Sequence, residues 1–310
     1  MSEIALMVKV ARLYYEEGKT QADIAKELGI TRLSVIELLK QAKSEGIVRF
    51  EIVNPQEDFL LLEKALEKKY KLKKVIIASG VGENHAMLLS RLGKSASAYL
   101  DNIVKFNDVL GIGWGVHVME TSKHLKHTQN RSITAVPLIG GGNEIHIQYD
   151  VNYLTKKFAN AFGGESFSLF APAIVDSKFI RDAIISDSRI IQVIDFWNRL
   201  NIVLIGIGVE TKETPSTLDF RQTPQLAGLR ATGIVGDILS RFYDISGNSV
   251  YLEIYDRMIC IEPDIMKKAE FVIGVAGGLA KYNAIFGAIN GGLINVLITD
   301  EEVARKLESA

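Results

Sequence analysis

The sequence predicts an α/β protein with a small helical N-terminal domain, residues 1–54, a linker helix, 55–70, and a larger parallel α/β domain, 71–310. Three observations predict this. In the first fifty residues, apolar side chains recur at helical spacing, with glycine and threonine at the breaks. From Lys73 onward, short and fully apolar strands alternate with helices, which is typical of a parallel sheet covered on both faces. Several of these strands end in glycine-rich turns.

Composition narrows the class of protein. The chain has 310 residues, 47% of them hydrophobic, which is enough for a small domain and a large one. No apolar run approaches the ~18 residues of a membrane helix. The N-terminus lacks the basic segment of a signal peptide, so we expect a soluble, cytoplasmic protein. The single cysteine, Cys260, excludes an internal disulfide and a cysteine metal cluster, and its apolar neighbours predict a buried thiol.

The first fifty residues predict three helices. Apolar spacing indicates a helix over 4–17, which Gly18 can end. Thr20 is then the N-cap of a second helix, 21–28, and Thr31 is the N-cap of a third, 32–44.

The spacing of these helices fits a DNA-binding helix-turn-helix. Ala25 is small enough for close helix approach, Gly29 permits the positive φ of the turn, and Val35 and Leu38 face the preceding helix. The alternative is a three-helix bundle with a glycine turn and no role on DNA. If the domain binds DNA, we expect its contacts to come from Gln21, Thr31, Arg32, Ser34, Ile36, Glu37 and Lys40.

Charge is balanced in this domain, because residues 1–54 hold eight Lys or Arg and eight Asp or Glu. Non-specific attraction to phosphates is therefore small, and firm DNA binding would need an oligomer.

Residues 46–53 predict a short strand or wing, stopped by Asn54 and Pro55. The charged amphipathic segment 56–70 predicts a linker helix that pairs with a partner chain, or a solvated spacer.

The large domain alternates strands and helices. We expect strands at 75–79, 108–113, 132–139, 166–170, 201–207, 271–275 and 295–298. We expect helices at 85–100 and 151–162, and helical segments within 177–197. A helix is expected from Asp237 to Tyr243, then a turn at 244–248 whose flanks suggest a hairpin. A closing helix starts at Thr299, with Glu302 in the capping-box position.

Glycine-rich turns after the strands indicate where a ligand binds. In open α/β sheets, ligands bind at the carboxyl ends of the strands, and glycine lets backbone N–H groups approach anionic or hydroxyl-rich molecules. No turn matches the phosphate-binding loop of nucleotide hydrolases. The segment 111–116 lacks the third glycine of a dinucleotide fingerprint, which weakens a nicotinamide dehydrogenase.

Taken together, the motifs resemble the SorC family of sugar-binding bacterial transcription regulators over essentially the whole chain. The resemblance rests on Gln21, Gly29 and Glu45–Val48, then Gly111–Gly115, Pro137–Gly141, Ala171–Ala173, Gly206–Gly208, Gly236–Ile238, Val275–Gly278, Lys281, Ala284–Ile285 and Ile298–Glu301.

The resemblance implies a winged helix-turn-helix domain and a Rossmann-like effector domain similar to sugar-phosphate isomerases and CoA transferases, without catalysis. It implies a repressor of a carbohydrate-metabolism operon that needs no cofactor or metal. Its partners would be double-stranded operator DNA, further copies of itself as homodimer or homotetramer, and a sugar, polyol or sugar phosphate that weakens DNA binding. Carried over by position, the effector pocket holds Gly113, Trp114, Gly115, Gly140, Gly141, Asp150, Asn152, Asp237, Gly277, Gly278 and Lys281.

Two pairs of neighbouring residues depart from the family pattern. Val116 and His117 stand where the family usually has a basic residue and then a hydroxyl residue suited to phosphate, so an unphosphorylated effector stays open. Ile36 and Glu37 stand where it usually has Ser or Thr and then Arg. Because glutamate can accept a hydrogen bond from cytosine N4, Glu37 predicts an unusual operator.

Single residues keep two interpretations. Lys281 is either a cation for an anionic or hydroxylated ligand or a solvated helix lysine, and Asp237, Asp150 and Asn152 either bind hydroxyls or cap helices. Trp114 is a wall for a sugar or plain core, and His117 is a ligand contact or structural. His124 and His127 have metal-like spacing but no third ligand, so no metal site is predicted. An isomerase or deaminase using Asp237 or Glu144 is the alternative function, although no spacing supports it.

Overall fold

A computed structural model describes residues 3–48, 55–79, 84–126, 130–142, 149–208 and 233–310. The chain divides into two compact units, Met1–Pro55 and Gln56–Ala310. No helix among the described residues is long and apolar enough to cross a membrane. Most of the predicted wing, together with His127 and Glu144, lies outside the described residues.

The first unit is a helix-turn-helix made of α1 (Glu3–Tyr15), α2 (Gln21–Leu28) and α3 (Arg32–Ser44). Both predicted N-caps are confirmed: the Thr20 hydroxyl accepts from the Asp23 N–H at 3.3 Å, and the Thr31 hydroxyl accepts from the Ser34 N–H at 3.1 Å. Gly29 adopts the expected positive φ of 65° between the two helices. The three helices meet around a core of Val10, Ile24, Ala25, Val35, Leu38, Leu39 and Ala42.

The large unit contains a parallel sheet, as predicted. Its strands and those of a separate hairpin are β1 (Lys74–Ala78), β2 (Val109–Ile112), β3 (Thr134–Pro137), β4 (Glu165–Ser166), β5 (Ile202–Gly206), β6 (Ile234–Ile238), β7 (Arg241–Asp244), β8 (Phe271–Val275) and β9 (Val296–Asp300). Seven of them form the sheet, in the order β1-β9-β8-β5-β2-β3-β4. All pairs within it are parallel.

Helices cover both faces of this sheet. The helices of the large unit are α4 (Pro55–Tyr70), α5 (His85–Ile103), α6 (Val116–Lys123), α7 (Val151–Ala161), α8 (Lys178–Ile185), α9 (Ser188–Trp197), α10 (Pro263–Met266), α11 (Tyr282–Asn290) and α12 (Glu301–Ser309). Alternate residues of one strand enter opposite cores: Val203 and Ile205 join one apolar cluster, while Ile202 and Leu204 join the other. This explains why the strands are apolar throughout.

Helix α4 is packed against the sheet edge rather than solvated along its length. Leu62 and Leu66 are buried in the main core. The Glu63 carboxylate accepts from the Ile77 N–H at 2.9 Å, and the Glu67 carboxylate accepts from the Val75 N–H at 3.1 Å. Because β1 is the edge strand, these carboxylates satisfy N–H groups that would otherwise lack a partner strand.

The predicted helix from Asp237 to Tyr243 is wrong. Residues 234–244 form the antiparallel hairpin β6–β7, with Leu239 and Ser240 at positive φ of 52° and 63° in its turn. Two successive positive φ values are the signature of a tight hairpin turn. The Asp237 carboxylate fixes this turn by accepting from the Ser240 N–H at 3.0 Å, so Asp237 lies in a strand and not at a helix start.

Two further expectations need correction. Strand β4 covers only 165–166 instead of 166–170, because the Leu169 N–H bonds to the Asn152 side chain and not to the sheet. The cap of α12 is Asp300, which accepts from the Val303 N–H at 3.1 Å; Thr299 is a strand residue paired with Ile77.

Candidate functional site

The outer face of α3 is the candidate DNA-reading surface. Val35 and Leu38 are buried against the other helices, whereas Arg32, Ile36, Glu37 and Lys40 are exposed. One face of α3 thus packs against the other helices, and the opposite face is available for recognition.

The other predicted DNA contacts, Thr31, Ser34 and Gln21, are less free than these four residues. Thr31 and Ser34 share a hydroxyl contact of 2.8 Å in addition to the cap, and Gln21 is half-buried at the start of α2. Leu33 was missed by the sequence reasoning, although it is 68% exposed. Its helical spacing of three residues from Ile36 is the signal that could have found it.

Ion pairing reduces the charge that this unit offers to DNA. The Lys19 ammonium lies 2.8 Å from a Glu27 carboxylate oxygen and 3.0 Å from one of Glu17. Hydrogen bonds to these two carboxylates raise the pKa of Lys19. Its charge is therefore already compensated, in keeping with the balanced charge of the domain.

The candidate effector site lies at the carboxyl ends of three adjacent strands, β8, β5 and β2. The turns that follow them carry Gly277–Lys281, Ile207–Gly208 and Gly113–Gly115. The topology therefore brings together glycine turns that are far apart in the chain, at the edge where open α/β sheets bind ligands.

Lys281 joins two of these turns. Its ammonium donates a hydrogen bond of 2.6 Å to the Ile207 carbonyl oxygen. Burial lowers the pKa of Lys281 to about 8, and the Asp237 charge opposes that shift. The side chain is thus a partly buried cation with a partner in the protein, and not a freely solvated helix lysine. An ammonium has three N–H donors, and the described residues account for one.

Asp237 brings the opposite charge from the hairpin. Its backbone exchanges two hydrogen bonds with Gly208, of 2.9 and 3.1 Å. A Cβ on Gly208 would lie 2.0 Å from Asp237 Oδ1, so any larger residue would displace the carboxylate from this position. Burial raises the pKa of the Asp237 carboxyl, while the Ser240 N–H and the Lys281 charge act to lower it. The described bonds of Asp237 and Lys281 go to the backbone and not to each other.

His117 is buried in the same region, at the second position of α6. Burial, and then the charges of Lys281 and His85, hold the pKa of His117 well below its usual value. Its imidazole is therefore neutral and has one donor and one acceptor nitrogen. Gly206 leaves room beside it, since a Cβ there would still be 3.8 Å from His117 Nδ1.

The turn after β8 is held by Asp300. Its Oδ2 accepts from the Gly278 N–H at 2.6 Å, and a Cβ on Gly277 would approach the same oxygen to 2.6 Å. Gly278 has a φ of 89°. Sequence reasoning missed this role of Asp300, which only the pairing of β8 with β9 reveals.

Four predicted effector residues lie at the end of β3 and have backbone partners. The Gly140 N–H bonds to the Ile259 carbonyl at 2.9 Å, and the Gly141 N–H bonds to the Ala171 carbonyl at 2.8 Å. Asp150 caps α7 through the Tyr153 N–H at 2.8 Å, and Asn152 accepts from the Leu169 N–H at 2.8 Å. These groups hold the loops of that strand end together.

In the segment after β2, two of the predicted effector residues have structural roles and one begins a helix. Trp114 is 6% exposed and belongs to the main core, and the Gly113 N–H bonds to the Leu204 carbonyl at 2.9 Å. Gly115 has a φ of 109° and begins α6 without a side-chain cap. Because glycine has no side chain to cap a helix, the N–H groups in the first turn of α6 receive no hydrogen bond from Gly115. Such N–H groups can donate to an anionic or hydroxylated ligand.

A separate cavity of about 280 Å³ lies beside the hairpin and α10, and Arg241, Tyr243, Glu262 and Lys267 are among its lining residues. It holds none of the predicted effector residues. Arg241 and Glu262 form an ion pair of 2.6 Å, and Lys267 donates to the Gly291 carbonyl, so its main charges have partners in the protein. The partly buried charges of Lys281 and Asp237 are better evidence for an effector site than this volume.

Cys260 and His124 each contact other groups of the protein. The described residues include no group of three His, Cys, Asp or Glu that could hold a metal ion. The His124 Nε2 atom lies 3.1 Å from the Ser90 hydroxyl and 3.5 Å from a Glu120 oxygen. Cys260 is buried as predicted, and burial raises its thiol pKa to about 12.

Known proteins resemble this chain over almost its full length. A family of sugar-binding domains, Sugar-bind, matches residues 54–307. The sorbitol operon regulator of Klebsiella pneumoniae is 35% identical over 308 residues, 98% of each chain. The deoxyribonucleoside regulator of Bacillus subtilis (strain 168) is 31% identical over 303 residues, 97% of this chain and 96% of the other.

Solved structures agree with these relatives. The crystal structure of the full-length sorbitol operon regulator SorC from Klebsiella pneumoniae matches with a TM-score of 0.77 at 34% identity, over 99% of both chains. A transcriptional regulator from Streptococcus pneumoniae TIGR4 matches with a TM-score of 0.76 at 27% identity, over 83% of this chain and 98% of the other. These proteins are transcription regulators and not enzymes. The chain therefore belongs to the SorC family of sugar-responsive transcription regulators.

Proposed function

We propose that this protein is a repressor of a carbohydrate-metabolism operon, acting in the cytoplasm on double-stranded operator DNA. In this proposal the helix-turn-helix unit binds the operator, and a sugar, polyol or sugar phosphate bound in the large unit releases it. The observation that carries the proposal is the pair of partly buried charges, Lys281 and Asp237, at the carboxyl ends of the central strands.

The side chains of the candidate effector site suit a polyhydroxyl ligand. Lys281 has N–H donors beyond the one bonded to Ile207, Asp237 is an acceptor, and the neutral His117 supplies one of each. Sugar hydroxyls both donate and accept, so they can satisfy all three groups. A phosphate on the ligand would meet Lys281 and the first turn of α6 at Gly115.

Oligomerisation follows from the charge balance of the head. The formal charges of residues 1–54 sum to zero, so a single helix-turn-helix domain (a head) gains little binding energy from attraction to phosphates. We propose a homodimer or homotetramer that places two α3 helices in successive major grooves, ~34–36 Å apart or multiples of that. Ligand binding reorders the turns at Lys281 and changes how subunits pair, which changes the spacing of the heads.

The test is fluorescence anisotropy with DNA from upstream of the protein's own gene and neighbouring genes, with scrambled DNA as control, at two salt concentrations. Free sugars, polyols and their phosphates are then added. We expect selective binding that one class of metabolite weakens. The Lys281→Met variant should bind the same DNA but no longer respond, whereas Lys123→Met, an exposed lysine paired with Glu120, should respond normally. Absence of selective binding at both salts would refute the proposal.

A further inference from the structure

The outer face of α3 carries two large aliphatic side chains. Leu33 is 68% exposed and Ile36 is 41% exposed. They are three residues apart, which places them next to each other on one helix face. Neither belongs to the described core of the unit, which α3 enters through Val35, Leu38 and Leu39. Single exposed aliphatic residues are common, but an adjacent pair on the recognition helix calls for an occupant.

The position of the pair within the motif identifies that occupant. In a helix-turn-helix, the second helix lies in the major groove, and its N-terminal residues contact base edges. The Thr31 cap fixes the start of α3, so Leu33 lies in the first turn and Ile36 in the second. The C5-methyl group of thymine is the apolar group that base pairs present in the major groove.

We propose that Leu33 and Ile36 read thymine methyl groups in each operator half-site, an inference that rests on the proposed DNA-binding function. Their neighbours support DNA over a protein surface as the occupant. Arg32, Glu37 and Lys40 are all exposed and flank the pair on the same helix. The centres of protein interfaces are depleted of charged residues, whereas two cations beside an apolar contact suit phosphates on either side of a groove.

The test removes only the methyl group. DNA that the purified protein selects from a random-sequence pool is amplified once with dTTP and once with dUTP. Uracil pairs as thymine does and lacks the C5-methyl. Burying one methyl group corresponds to about fourfold in affinity, so we expect the uracil DNA to bind roughly tenfold or more weakly when both half-sites are counted.

Variants assign the effect to the two side chains. The Leu33→Ser/Ile36→Ser double variant should bind thymine and uracil DNA equally. Ile4→Ser is the matched control, because Ile4 is 61% exposed on α1, and this variant should keep the discrimination. Far-ultraviolet circular dichroism checks that the helices persist in both variants, and Leu33→Met/Ile36→Met, which keeps apolar contact, should keep the discrimination if the serine variant unfolds.

The outcomes separate the inference from the proposed function. Selective binding with equal affinity for thymine and uracil DNA would overturn the methyl readout and leave the regulator intact. Failure to select any sequence from the pool would overturn both. A changed oligomeric mass in light scattering, with unchanged thymine preference in the serine variant, would assign the pair to contacts between copies of the chain.

Discussion

The candidate DNA-reading surface on α3 and the candidate effector site at Lys281 are built in opposite ways. The α3 face comes from one helix of 13 residues, and most of its side chains are exposed. The pocket comes from turns and a hairpin at widely separated positions, among them His117, Gly208, Asp237 and Lys281, joined by backbone hydrogen bonds. Substitutions on α3 should therefore alter DNA recognition with little effect on folding, whereas substitutions at the candidate effector site should alter both effector binding and stability.

The largest expected effect is that of Gly208→Ala. A Cβ there would lie 2.0 Å from Asp237 Oδ1, so the carboxylate would have to turn away and give up its bond to the Ser240 N–H. We expect the large unit to lose about 2–3 kcal/mol and the response to effector to disappear, while DNA binding persists. Urea unfolding followed by tryptophan fluorescence measures this, because both tryptophans, Trp114 and Trp197, lie in the large unit.

Gly206→Ala is the control for this prediction. It is two residues away, and its Cβ would meet neighbours only at 3.8 Å or more. We expect a loss below about 1 kcal/mol. Equal losses for the two variants would mean that contact with Asp237 is not what requires glycine at 208.

Asp300→Asn should have the next largest effect. Asparagine would keep one oxygen for the Val303 N–H but turn an NH₂ group toward the Gly278 N–H, leaving two donors face to face. We expect the large unit to lose about 2 kcal/mol in the same unfolding measurement. Glu302→Gln, at an exposed position of the same helix, should change it by less than about 0.5 kcal/mol. A loss no greater than that of Glu302→Gln would disprove the role of Asp300 in holding the turn.

Local features of the sequence predict the first unit well. Thr20, Thr31 and Gly29 act within three or four residues, so spacing alone locates both helices and the turn. Apolar runs likewise predict the parallel sheet and its two covered faces. Leu33 is harder to find, because single exposed aliphatic residues are common and only its spacing of three residues from Ile36 distinguishes it.

The pocket is less predictable from local pattern. Asp237 was assigned to a helix, because the hairpin depends on its bond to Ser240 and on its pairing with Gly208, 29 positions earlier in the numbering. Asp300 was assigned only to a closing motif, since its contact with Gly278 requires β8 and β9 to be neighbours. Long-range pairing decides these roles, and helical or strand periodicity does not register it.

The pKa of Lys281 makes effector binding depend on pH, which DNA recognition by α3 should not share. Its pKa of about 8 predicts that effector affinity falls by up to about tenfold between pH 7 and pH 9, as the ammonium loses its charge. Isothermal titration calorimetry with the effector checks this. Lys281→Met should bind weakly and without that step. A wild-type affinity that is constant across this range would show that the charge of Lys281 does not hold the ligand.

The same shift has a consequence for stability without ligand. The folded-state pKa of Lys281 lies below the unfolded value of 10.5, so the unfolded chain binds more protons between these values. The contribution of Lys281 to stability therefore rises as pH increases from about 8 to 10.5. The difference in unfolding free energy between the wild type and Lys281→Met should shift in favour of the wild type over this window. A shift in the opposite direction would contradict the burial of the cation.

Thr31→Ala should have the smallest effect and the most local one. Loss of the hydroxyl leaves the Ser34 N–H uncapped, at a cost of about 1 kcal/mol in the first turn of α3. Hydrogen exchange at that amide should become about fivefold faster, with the large unit unchanged. Ser44→Ala, which removes a hydroxyl at the exposed end of the same helix, should leave the Ser34 amide as it was. Thr31→Ser retains the cap, so a loss of operator affinity at normal exchange protection in that variant would separate a direct contact of Thr31 with DNA from its role in starting the helix.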